Sequence, residues 1–111
     1  MLCDLSYLKK LSGGDNNFIS EMVRLFLKQT PIDLVKLQQA IADEDVDTVK
    51  RTVHKLKSSV SMLGVGKMTV QLKNMESLLA TGSDCMVFWE PYNTLEKDFT
   101  EVKKELEPML P

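Results

Sequence analysis

Residues 54–58, His-Lys-Leu-Lys-Ser, are where this 111-residue chain concentrates side chains able to do chemistry. His54 is the only histidine. On a helix, Lys57 at i+3 lies one turn away on the same side, and Ser58 follows at i+4. Lys50 and Arg51 extend the positive face one turn back. An exposed imidazole is largely unprotonated at cellular pH and can act as a nucleophile. A phosphoryl group attacked in line is the electrophile that suits it, with the Lys57 ammonium stabilising charge on the transferring oxygens. Ser58 could donate a hydrogen bond or merely stay small beside the ring. Set against this is the plainer reading, a solvated surface histidine among solvated cations.

Other chemistries fare worse. A serine hydrolase would need His54 as base for Ser58, oriented by Asp47, but a convex helix face offers no pocket and no oxyanion hole. Asp43, Glu44 and Asp45 cluster as acids of a connection would, capping a helix in solvent. SGGD at 12–15 follows a helical stretch rather than a strand and lacks the lysine of a phosphate loop. One histidine and two cysteines, Cys3 and Cys85, without CxxC spacing are too few ligands for zinc, so no metal or cofactor is expected. The cysteines read as free thiols of a reducing compartment. A net charge of −2 gives no bulk reason to bind nucleic acid or an acidic membrane. No signal-peptide run or membrane-length apolar stretch is present, and the expected location is the cytoplasm.

The element that must position His54 runs from Val46 to Gly64. Val46, Val49, Val53, Leu56, Val60 and Leu63 step by threes and fours and gather on one side of a helix. His54 lies about 130° from their centre at about 100° per residue. Asp47, Lys50, Arg51, Lys57, Ser58 and Ser61 share its face. Upstream, residues 16–42 are helical in pattern with Pro31 inside. The apolar phase survives the proline, which favours one kinked helix over two with Thr30 capping the second. Residues 4–11 form a short helix through Leu5, Leu8 and Leu11, and Asp15 caps the long helix after it. Downstream, Val65, Met68, Leu72, Met75 and Leu79 make another helix, ended by TGSD at 81–84. The last helix starts near Glu90 with Pro91 in its first turn and carries Phe88, Tyr92, Leu95, Phe99, Val102 and Leu106. Residues 84–90, DCMVFWE, are a helical lead-in or a cover for one end of the core. No stretch reads as a strand. The expected architecture is an all-α, up-and-down antiparallel four-helix bundle with a short N-terminal helix across one end, forming a single domain over 1–111.

HKLKSSVSMLG resembles the signature of histidine-containing phosphotransfer (HPt) domains, approximately HxLKGSSxxLG, through His54, Leu56, Lys57, Ser59, Leu63 and Gly64. VGKMTVQLKNME is similar to the family's AxxLxxxCxxLE through Met68, Leu72, Met75 and Glu76, and FLKQTPIDLVKLQQAI to its preceding helix. The likeness covers about residues 15–80. It implies a phosphorelay intermediate without kinase activity or ATP binding. His54 would take a phosphoryl group from a receiver-domain aspartyl phosphate and pass it to another receiver. The receiver would bring Mg²⁺. Response-regulator receivers and a hybrid sensor kinase are the implied partners, and the chain is expected to act as a monomer. The starting methionine and compact length favour a free-standing protein. Ser58 stands where the family has a glycine that leaves room for the partner; Val60 replaces the usual second serine, on the apolar side. Docking is expected around Lys50, Arg51 and Ser61, with apolar contact from Met62 and Tyr7, or else Met62 fills the bundle end. The alternative is a helical docking module that binds a receiver or other partner without carrying phosphate.

Overall fold

A computed structural model describes residues 2–110, and the two terminal residues lie outside that description. Five α-helices occur in order: α1 (Ser6–Ser12), α2 (Asn16–Ala42), α3 (Val46–Met62), α4 (Gly66–Ala80) and α5 (Trp89–Leu106). Among the described residues there are no strands. The start signals are local. The Asp15 carboxylate accepts hydrogen bonds from the backbone N–H of Asn17 and Phe18, capping α2. Asp45 caps α3 by accepting from the Thr48 N–H at 3.2 Å and from the Thr48 hydroxyl at 2.6 Å. The Thr48 hydroxyl and N–H hold the Asp45 carboxyl below its usual range. A 3₁₀ turn, Cys85–Phe88, leads into α5 and buries Cys85 and Phe88, so the 84–90 segment is both lead-in and cover.

α2 is one continuous helix of 27 residues. At 1.5 Å per residue it extends about 40 Å, close to the full 43 Å length of the molecule. Pro31 stays inside it and is exposed. The alternative of two helices with a Thr30 cap is therefore excluded, and Thr30 is buried instead.

The long helices pack as a ring: α2 on α3, α3 on α4, α4 on α5, and α5 back on α2. Val49, Val53, Leu56, Val60, Met68, Leu72, Met75 and Leu95 are sealed in the centre. Phe26 and Phe99 meet edge to face at 5.8 Å, joining α2 to α5. Two expectations fail at the edges of the stripes. Val46 is 47% exposed, because it is the first residue of α3 and no turn lies beneath it to pack against. Leu11 is exposed at the last turn of a helix only seven residues long. Leu25, Ile32 and Val35 lie on the solvent side of α2.

The N-terminal segment is tied down at one end of the ring. The Glu105 carboxylate accepts from the backbone N–H of Leu2 at 2.8 Å and of Cys3 at 2.9 Å. The Asp4 N–H donates to the Gly64 carbonyl at 3.2 Å. Gly64 has φ +64°, and a Cβ there would run into the Asp4 backbone carbonyl. Both reasons demand glycine at this turn. Cys3 and Cys85 are free and buried. Burial and the neighbouring Glu105 carboxylate push the Cys3 thiol up to about 12.

Candidate functional site

With Val49, Val53, Leu56 and Val60 locked inward, α3 turns His54 outward, and the ring is exposed. It does not stand on a plain convex surface, as the helix face alone suggests. α4 rises beside α3, and His54, Lys50, Arg51 and Val46 face Glu76 and Leu79 across an open recess of about 780 Å³. Val46, expected in the core, thus belongs to the wall of the site.

Lys57 faces α4. Its Nζ lies 2.8 Å from Glu76 Oε1, and the two side chains are each 35% exposed. The sequence marks Glu76 only as a helix-motif match. Its pairing with Lys57 depends on the α3–α4 apposition, which periodicity within one helix does not report. The Ser58 hydroxyl donates back to the His54 backbone carbonyl at 3.3 Å. It is spent on its own helix rather than on the imidazole, so the serine–histidine pair that a hydrolase needs is not formed.

The cations divide. Lys50 and Arg51 are exposed beside the histidine, and Arg51 Nη2 donates to the Thr48 hydroxyl at 3.3 Å. Lys55 leans the other way, toward α2, and pairs with Asp33 at 3.2 Å. Asp33 is almost fully buried and also accepts from the Gln29 amide. A buried carboxylate needs such partners, and nothing in a single helix pattern marks it. Lys55 is therefore committed to the α2–α3 seam.

The remaining predicted residues sit in two further depressions. Met62 is half-buried against the core and, with Ser58, Met22 and Leu25, lines a mostly apolar groove of about 380 Å³ between α2 and α3. It packs against the core and remains partly exposed. Tyr7 and Ser61 line a separate recess beside Gly64 at the α3–α4 turn. Tyr7 is 56% exposed. The structure thus gathers Lys50, Arg51 and His54, sets Ser58 and Met62 on the α2 side, and puts Tyr7 and Ser61 at the end of α3.

Among the described residues no three His, Cys, Asp or Glu side chains converge as a metal site would require, and no helix is long and apolar enough to cross a membrane. The chain has no significant match among curated proteins or solved structures. The family model described as the Hpt domain matches residues 21–106, spanning α3, α4 and α5 and most of α2. By that match over most of its length, the chain belongs to the Hpt domain family, phosphotransfer modules that work with response-regulator receivers in two-component signalling.

Proposed function

We propose that this chain is a phosphorelay intermediate and that His54 is its phosphoryl acceptor. The observation that carries the reading is the exposed His54 ring on a basic helix face, one turn from Lys57 and beside Lys50 and Arg51. The unprotonated ring nitrogen attacks the phosphorus of a receiver aspartyl phosphate in line. An N–P bond forms, the P–O bond to the aspartate breaks, and its electron pair returns to the carboxylate. The ring is left as a phosphoimidazolium, so no proton need leave. The reverse sequence delivers the group to a second receiver. Lys57 stabilises the transferring oxygens, and Mg²⁺ is supplied on the receiver, not on this chain. The chain has no kinase or ATP-binding part in this scheme.

Residues 1–111 are read as one such domain, acting as a monomer, with the four long helices alternating in direction. Receivers, including that of a hybrid sensor kinase, would dock over His54. Lys50 and Arg51 meet the acidic receiver site. The Met22, Leu25 and Met62 groove takes an apolar contact, and Tyr7 and Ser61 form the outer edge. Ser58, folded back on its helix, keeps a low profile where the partner must approach. Both docking and transfer take place in the cytoplasm in this reading.

The test is incubation of the chain with a phosphorylated receiver. Transfer yields an acid-labile, base-stable label on the wild-type chain and none on a folded His54→Gln variant. Binding without any label would make the chain a docking module that carries no phosphate.

A further inference from the structure

The Lys57 ammonium already has a partner in the resting chain, the Glu76 carboxylate at 2.8 Å. Glu76 lines the same recess as His54, and Lys57 comes three residues after His54 on α3. The pair is half-buried, so it is screened less than a surface pair. When His54 gains a phosphoryl group, two anions need one ammonium: a carboxylate fixed on α4 and the phosphoryl oxygens one helical turn away. Charge-assisted hydrogen bonds to either are of similar strength, so whatever Lys57 gives to one it withholds from the other.

We propose that Glu76 is a positioning residue that competes with the phosphoryl group for Lys57 and so raises the tendency of phospho-His54 to give its phosphoryl group away. This inference rests on His54 being the acceptor. Glu76 touches neither the reacting nitrogen nor the phosphorus; it acts through Lys57. A relay intermediate must release what it receives, and an acceptor stabilised too well would hold the group. Retaining the Glu76 contact keeps phospho-His54 close in free energy to an aspartyl phosphate and transfer reversible.

The test has two readouts. One is the equilibrium partition of the phosphoryl group between the chain and a receiver that phosphorylates the wild-type chain. The other is the lifetime of phospho-His54 after charging with potassium phosphoramidate, which needs no partner protein. Glu76→Gln keeps the shape and removes the charge. It should move the partition toward phospho-His54 and lengthen the lifetime, each by about threefold to tenfold, the range of a partly screened charge interaction. Glu76→Asp should stay near wild type. In a Lys57→Ala background, Glu76→Gln should change either quantity by less than about twofold, because the effect travels through Lys57. Partition and lifetime within twofold of wild type in Glu76→Gln would overturn the proposal. So would a shift toward the receiver, or an undiminished effect without Lys57. A wild-type chain that takes no label from any receiver would instead remove the acceptor role itself.

Discussion

Lys57 and His54 are one helical turn apart, yet only Lys57 is engaged with a neighbouring helix. That difference sets what substitution should do. Lys57→Ala removes a cation from beside the proposed phosphoryl site and should slow single-turnover transfer about tenfold, less than the loss of a fully enclosed donor because the site is open to water. Its cost in stability should be at most about 1 kcal/mol, as for a half-exposed ion pair. Quench-flow transfer and thermal melting separate the two effects. An unchanged transfer rate would reduce Lys57 to a surface charge paired with Glu76. His54 was legible in the sequence because it is unique and falls off the apolar stripe. The Lys57–Glu76 and Lys55–Asp33 pairs were not, because each joins two helices whose relative placement is settled by the whole core.

α3 acts as a ruler that fixes the histidine, and its two ends are built differently. Asp45 caps its start, an assignment the sequence allowed because the cap is local. Its far end closes on Gly64, where the Asp4 backbone presses against the turn. The Leu-Gly stop was visible in the sequence, but the N-terminal segment that makes the glycine indispensable was not. That segment is pinned by Glu105. Burial pushes the Glu105 carboxyl up, but the Leu2 and Cys3 N–H groups and the Cys3 thiol outweigh it and hold the carboxyl below its usual range. A carboxyl lowered in the folded state adds stability above its unfolded pKa, about 4.3 for a glutamate, and loses it as pH falls through the lower folded value. Residues 2–5 should therefore loosen in acid. Their amide signals in NMR should shift toward random-coil positions below about pH 4, and a Glu105→Gln variant should show the same loosening at pH 7. Signals unchanged in Glu105→Gln at pH 7 would show that apolar contacts of Leu5 and Leu8, not the carboxylate, secure the segment.

Across the whole molecule, charge and burial are divided by helix. α3 carries Lys50, Arg51, Lys55 and Lys57 against one acid, Asp47, while α5 carries Glu90, Glu96, Asp98, Glu101 and Glu105 against three lysines. If a receiver docks as proposed, a chain with net charge −2 would turn its basic side toward an acidic partner, which would speed encounter more than tighten the complex. The ring of helices behind that face depends on residues such as Val53, which is fully buried. Val53→Asp places an unpaired charge there at a cost of several kcal/mol, a large share of the roughly 5–15 kcal/mol that holds such a domain folded. It should abolish the cooperative melting transition seen by circular dichroism, and a normal melt would refute the inward phase of α3. The helices and their inward stripes were readable from three-and-four spacing. The recess beside His54, with Val46 and Glu76 in its wall, was not, because it exists only where two helices meet. Whether His54 carries the phosphoryl group is decided most directly by mapping the phosphate after transfer from a phosphorylated receiver, by mass spectrometry under neutral conditions. The expected product is a phosphoramidate on His54, lost in mild acid. An acid-stable ester on Ser58 or Ser61, or a label that never leaves the receiver, would contradict the acceptor role.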